Sequence, residues 1–243
     1  MSPDFGLVVP MANEEKDFQP FIAALIALLD KLQSGNVYLV VDNVSKDRTL
    51  EICRVLSTKD KRFITVWAPE NKNVVDAYMR GYKEALKNNH EFIIEMDAGL
   101  SHNPEAIPLF LDALQNGYVC AFGSRFVKGG SIKDSTWKRK FLSKGGTVLS
   151  NFLLGSKMSD MTSGYQGFHR SIVEKFVNYN LLSKAHFYQT ELRYLLRKTR
   201  YKEIPIHYKA PSPSVSQKSI LNSVSVLLHY FFLRLQFKAP FIV

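Results

Sequence analysis

Cysteine is scarce in this chain. The 243 residues hold two, Cys53 and Cys120. They lie far apart and match no metal-ligand spacing, which argues against a disulfide-stapled scaffold or a zinc module and leaves buried free thiols in a reducing compartment. A basic segment followed by a long apolar stretch is missing after Met1-Ser2-Pro3-Asp4, so the expectation is a cytoplasmic protein without a secretory leader. An uninterrupted run of about 20 apolar residues, which a membrane-spanning helix needs, is also missing. Acidic side chains are few: 22 Asp and Glu against 32 Lys and Arg give a net charge of +10. That surplus suits nucleic acid, an anionic membrane face or phosphorylated ligands, and charge alone does not choose among them. Internal repeats and low-complexity segments are absent.

What is present is a globular composition. Apolar residues make up 46% of the chain, enough for one large domain or a domain with an appendage. Apolar runs at 5–10, 37–41, 63–67 and 92–96 read as buried strands, with helical periodicity at 18–32, 48–57 and 74–88 between them. This alternation implies βαβ units and a parallel sheet. The loops carrying Asn13, Asp42, Asn71 and Asp97 then gather on one sheet edge, where open α/β sheets bind ligands. The second half is less regular. It suggests a strand at 119–122 and a helix at 136–154 bearing Lys138, Arg139, Lys140 and Lys144. A loop at 159–168 enters a strand, followed by a helix at 189–199 and a strand at 202–208. After the breaker Pro211-Ser212-Pro213-Ser214 comes an apolar helix at 220–237. The expected organisation is a catalytic domain over 1–210 and an amphipathic, membrane-proximal segment over 211–243.

Asp97 is the sharpest single candidate. A carboxylate ending an apolar strand is costly unless it is solvated, paired or metal-bound. Glu95 shares its strand face and either supplies metal charge or pairs with a basic side chain. Asn13-Glu14-Glu15 reads equally as a ligand loop and as a helix start, since Asn caps helices and Glu suits their positive end. Asp42 follows the second strand on the same sheet edge, and Asp47 reads best as a cap for the following helix.

Several ordered motifs carry a resemblance. Val8-Val9-Pro10-Met11-Ala12-Asn13-Glu14-Glu15 opens the chain, and Val40-Val41-Asp42-Asn43-Val44-Ser45-Lys46-Asp47-Arg48-Thr49 follows. Then come Asp97-Ala98-Gly99-Leu100-Ser101, Gly123-Ser124-Arg125-Phe126 with Gly129-Gly130, and Asp160-Met161-Thr162-Ser163-Gly164-Tyr165-Gln166-Gly167-Phe168. Phe187-Tyr188-Gln189-Thr190-Glu191 and Glu203-Ile204-Pro205-Ile206 close the series. Together they resemble the family-2 glycosyltransferases of the GT-A fold, in particular the dolichyl- and polyprenyl-phosphate mannose synthases. The resemblance implies an α/β GT-A fold, Rossmann-like with a mostly parallel sheet. It also implies an inverting transfer of a sugar, with mannose from GDP-mannose favoured, to a polyprenyl or dolichyl phosphate.

The resemblance assigns roles to individual residues. Pro10, Asn13, Glu14, Asp42, Asn71 and Asp97 would meet the nucleotide. Asp97 and Ser101 would hold Mg²⁺ or Mn²⁺. Arg125, Arg139, Ser143 and Gln189 would meet the acceptor, with Arg139 and Ser143 placed by spacing in a basic helix that otherwise reads as a solvated face. Arg125 would also offset phosphate charge in catalysis, and Glu191 would act as base if the acceptor were a hydroxyl. The chain departs from the pattern in four places: Asn43 replaces an Asp, Gly99 replaces the middle metal ligand, Gln166 replaces an Arg, and the basic motif expected after the last strand is poorly matched by 211–218. These departures keep open a hydroxyl acceptor (saccharide, protein or modified nucleic acid) and a nucleotide-sugar-binding relative without catalysis. The helix at 220–237, flanked by Lys209, Lys218, Arg234 and Lys238, implies peripheral membrane contact or, alternatively, packing on the domain or in a homodimer. Nucleic acid is not an expected partner.

Overall fold

A computed structural model of the chain describes residues 3–133, 137–209 and 216–243, without the side chains of Lys138, Arg139 and Leu142. The strands expected in the first half form because their residues can be buried on both sides. They are β1 (Phe5–Met11), β2 (Asn36–Val41), β3 (Phe63–Trp67) and β4 (Phe92–Glu95), joined by α1 (Phe18–Leu32), α2 (Thr49–Lys59) and α3 (Val74–Lys87). Successive residues of β1 alternate between two cores: Val8 joins the layer containing Tyr78 and Tyr82, while Leu7 and Val9 join the layer of Phe21 and Leu25. This is the period of two that sends neighbouring side chains to opposite faces.

The second half supplies α4 (Ile107–Gln115), β5 (Cys120–Ser124), β6 (Ser131–Lys133), α5 (Trp137–Leu154), β7 (Gln166–His169) and α6 (Arg170–Phe176). After these come α7 (Tyr188–Leu195), β8 (Tyr201–Pro205), β9 (His207–Lys209) and α8 (Gln217–Leu235). The main sheet has the order β3-β2-β1-β4-β7-β5-β8. β7 runs antiparallel to both neighbours, and the other pairings are parallel. The order reverses between β1 and β4. Their carboxyl ends therefore flank the crevice in which open α/β sheets bind ligands.

Three expectations need correction. Residues 202–208 do not form one strand. β8 ends at Pro205, and β9 pairs with β6 in a separate two-stranded sheet, because Ile206 donates to Ser124 O and accepts from Ser131 N at the crossing. The sequence reading missed α4 and α6, which are short, with 9 and 7 residues. Asn13 does not cap α1. That helix begins after Asp17, and Asn13 sits in the left-handed region at φ 59°, which Asn tolerates better than most residues.

The proposed boundary at 210/211 lies outside the described residues. α8 is nevertheless docked: Val226, Leu227 and Tyr230 are buried in the main core. Arg234, expected near headgroups, instead donates to the Phe152 and Leu153 carbonyls at 2.9 and 3.0 Å and so closes the end of α5. Among the described residues no helix is long and apolar enough to cross a membrane.

Candidate functional site

The loops after β1 and β2 are laced together. Asn13 N donates to Ser45 Oγ, Asn13 Oδ1 accepts from Lys46 N, and Asn13 Nδ2 reaches Val44 O. Glu14 N donates to Thr49 Oγ1 at 2.8 Å. The Asp47 carboxylate accepts from Glu15 N as well as from Thr49 N, so it ties two loops together besides bonding the first residue of α2. Asp42 is buried and accepts from Val44 N at 2.9 Å. Asn43 Nδ2 reaches Pro69 O after β3, and the buried Nδ2 of Asn71 in that loop has no partner among the described residues. Pro10, Asn13, Asp42 and Asn71 thus stand along the carboxyl edges of three adjacent strands.

Asp97 follows β4. Tyr78 donates to its Oδ1 at 2.6 Å. Its Oδ2 lies 3.7 Å from Nδ1 of His102, too far for a hydrogen bond. Among the described residues both ring nitrogens of the buried His102 lack hydrogen-bond partners, and burial holds its pKa below the usual histidine range. The buried amide nitrogen of Gln189 is also unpartnered. It stands 2.6 Å from where a Cβ on Gly164 would be, and Asp97 Oδ2 stands 3.1 Å from the same point. Gly99 has φ +76°, and Oε2 of Glu14 lies 3.8 Å from the place its Cβ would take. Burial, with Asp17, Asp47 and Asp97 nearby, pushes the Glu14 carboxyl up to about 7. Ser101 is half-buried on the same turn.

Hard oxygen donors of this kind fit Mg²⁺ or Mn²⁺. Among the described residues no three His, Cys, Asp or Glu side chains form a metal cage. A cation held here would complete its shell with ligand oxygens and water, as Mg²⁺ habitually does.

Glu95 answers neither expectation made for it. It is fully buried and turned into the core. Tyr82 and Tyr188 donate to Oε2, and Gln166 donates to Oε1 at 2.6 Å. Burial pushes its pKa up to about 7, against the lowering effect of those three hydrogen bonds. Among the described residues no basic side chain pairs with it, and both of its oxygens are engaged by these hydrogen bonds. Gln166, where the motif has Arg, in turn accepts from the buried Arg193 at 3.2 Å.

Arg125 is not a free cation. Its Nε and Nη2 bond the two oxygens of buried Asp160 at 2.7 and 2.8 Å, and Nη2 also reaches Thr162. Burial would raise the Asp160 pKa, but hydrogen bonds and charge from Arg125, with Arg193 behind, hold it below the usual carboxylate range. Glu191 is a correction. Its carboxylate is closed to solvent, accepting from Leu182 N, Ser183 N and the Tyr230 hydroxyl, so it fastens α7 to the preceding loop and to α8 and offers no base to a substrate. Ser143 is half-buried on α5, and the Arg139 side chain lies outside the described residues.

Beside Arg125 opens a groove of about 920 Å³ whose lining includes Phe126, Lys140, Phe141, Lys144 and Phe152. Phe141 and Phe152 of α5 are 71% and 76% exposed, and Leu221, Val224, Leu228, Phe232 and Leu235 make an exposed apolar stripe on α8, which packs against α5. Sequence reasoning missed Tyr78 and His102. Tyr78 lies on the helix before β4 with no motif around it, whereas His102, one residue beyond Ser101, could have been found from its place on the metal turn.

Comparison with known proteins agrees with this geometry. The model of glycosyl transferase family 2 matches residues 7–177. The polyprenol monophosphomannose synthase of Mycolicibacterium smegmatis is 30% identical, over 88% of this chain and 80% of that protein. The dolichol-phosphate mannosyltransferase of Pyrococcus furiosus is 33% identical over 70% of this chain, which spans 47% of that longer protein. Among solved structures, glucosyl-3-phosphoglycerate synthase from Mycobacterium tuberculosis, in complex with Mn²⁺, UDP and phosphoglyceric acid, superposes with a TM-score of 0.65. It is 14% identical and covers 99% of this chain and 80% of that one. The fold class is therefore the GT-A α/β fold that the motifs implied.

Proposed function

The chain belongs to glycosyl transferase family 2 and is a glycosyltransferase, and from that premise we propose that it transfers a hexose, mannose by preference, from a nucleotide-sugar to the phosphate of a polyprenyl lipid. The observation that carries this reading is the apolar groove along α5. Its lining combines the basic residues Arg125, Lys140 and Lys144 with the apolar residues Phe126, Ile132, Phe141, Val148, Leu149 and Phe152. A single-chain lipid phosphate has this same combination of charge and apolar surface.

In this reading the nucleotide lies along the loops of Pro10, Asn13, Asp42 and Asn71, with its diphosphate against Asp97. Asp97, with Ser101 on the same turn, would hold a divalent cation, which would supply Lewis-acid offset of the leaving diphosphate. The acceptor phosphate is already an anion and needs no strong general base. The positive charge of the groove lining holds it, and the Nη1 edge of Arg125 is the donor left over from the Asp160 pair. In-line attack inverts the anomeric carbon. The exposed faces of α5 and α8 rest on an anionic membrane surface, as amphipathic helices do, and present the groove to lipid.

The test is a product analysis with GDP-, UDP- and dTDP-sugars, Mg²⁺ or Mn²⁺, and a short-chain polyprenyl phosphate in detergent. Label appearing in the organic phase as a sugar phosphodiester is the expected result. Label appearing only on a soluble hydroxyl acceptor would replace the lipid reading.

A further inference from the structure

The turn after β4 has open space beside Gly99. Gly99 has no side chain, and its φ of +76° is one that L-residues seldom adopt. The space beside it is not empty of charge. Oε2 of Glu14 lies 3.8 Å from the position of the absent Cβ, and among the described residues no other atom outside Gly99 and its two chain neighbours comes within 4 Å of that point. The topology brings them together: Glu14 follows β1 and Gly99 follows β4, and these adjacent parallel strands end side by side where the sheet order reverses.

The backbone of Glu14 is fixed by its hydrogen bond to Thr49 and by the left-handed Asn13 before it. Its side chain is half-buried, and its carboxylate accepts no hydrogen bond from any described residue. A half-buried carboxylate without a partner, with Asp17, Asp47 and Asp97 nearby, is costly unless something positive offsets the charge.

The surroundings of Asp97 supply an independent observation. Among the described residues both nitrogens of His102 and the amide nitrogen of Gln189 are buried without partners; His102 Nδ1 lies 3.7 Å from Oδ2 of Asp97, and Gln189 Nε2 and that oxygen both approach Gly164. Polar groups left unsatisfied in this way mark a place where a ligand completes the set.

We infer that Glu14 is a ligand of the divalent cation held at Asp97, standing in for the side chain that Gly99 lacks. This rests on the metal-assisted transfer proposed above. It also reassigns Glu14 from nucleotide contact to metal contact. The cation then bridges the loops after β1 and β4, so that it joins two loops the backbone leaves separate.

The experiment measures Mn²⁺ binding by electron paramagnetic resonance in the presence of GDP or UDP, with nucleotide affinity measured separately in EDTA. The proteins are wild type, Glu14→Gln, Asp97→Asn and the double variant Glu14→Gln/Gly99→Asp. The expected result is Mn²⁺ binding by wild type, its loss in Asp97→Asn, and weakening by about tenfold or more in Glu14→Gln, with metal-free nucleotide affinity unchanged. Gly99→Asp should recover part of that loss, since Asp tolerates left-handed backbone better than most residues. Wild-type Mn²⁺ affinity in a folded Glu14→Gln variant, with Asp97→Asn defective, would overturn the inference and leave metal use intact. An equal loss of nucleotide affinity in EDTA would return Glu14 to the nucleotide and also overturn it. Absence of Mn²⁺ binding by wild type with either nucleotide would remove the metal reading and this inference together.

Discussion

Tyr78 donates its hydroxyl to Oδ1 of Asp97 at 2.6 Å, and its ring lies 5.2 Å from that of Tyr188, which holds Glu95. The hydrogen bond leaves Oδ2 as the oxygen of Asp97 that faces His102 and Gly164. The orientation of the Asp97 carboxylate is therefore set by a side chain from α3.

Tyr78→Phe should lower kcat by about tenfold or more, because a hydrogen bond to a charged group contributes about 1.5–3 kcal/mol. KM for the nucleotide-sugar should change less, since the carboxylate remains but is no longer held in one rotamer. Steady-state kinetics at saturating Mg²⁺ would check this. An unchanged kcat would mean that Asp97 needs no such support.

Glu191→Gln should act on stability. The amide would set its NH₂ against backbone donors that now bond a carboxylate, at a cost of about 1–3 kcal/mol per unsatisfied group. Activity per folded molecule should stay within a few-fold of wild type, whereas losing a general base costs about 10²–10⁴ in rate. Thermal melts combined with active-site-normalised turnover separate the two.

Asp160→Asn should destabilise the protein by about 3–5 kcal/mol at neutral pH, because it leaves Arg125 buried without its counter-charge. The folded pKa of Asp160 is held below its unfolded value. Its stabilisation is therefore present above the unfolded value of about 3.9 and is lost as pH falls through the lower, folded value. Denaturant midpoints of wild type and variant should stand apart at pH 7 and converge as pH drops below about 4. A constant gap down to acid pH would contradict this account.

Membrane association should fall in Phe141→Glu and Phe232→Glu with little loss of stability, since both side chains are exposed, at 71% and 55%. Flotation with vesicles of mixed neutral and anionic phospholipid measures it. Deleting residues 216–243 is a poorer test, because it uncovers the core contacts of Val226, Leu227 and Tyr230. Equal flotation of wild type and both substitutions would point to another surface.

Much of the fold was legible because its signals are local. Buried parallel strands are short apolar runs, and the helices between them show their own period, so α1 and β3 fall at the residues the pattern indicates. The order of motifs was legible as well, and with it the sheet edge at which Asp97 stands. Short elements such as α6, capped by His169 through a bond to Ser171 N, carry too few periods to stand out from their surroundings.

The sequence by itself determined that strand ends carrying Asn13, Asp42 and Asp97 share one edge, because parallel strands joined by helices must all point the same way. It did not determine what each charged side chain meets. Glu95 and Asp97 share a strand face in the sequence pattern. Only packing decided that one turns inward to two tyrosines and Gln166 while the other stays at the crevice. Likewise only the reversal of strand order between β1 and β4 brought Glu14 beside Gly99. Periodicity is a property of neighbours along the chain, whereas the partner of a carboxylate is set by contacts between residues distant in sequence.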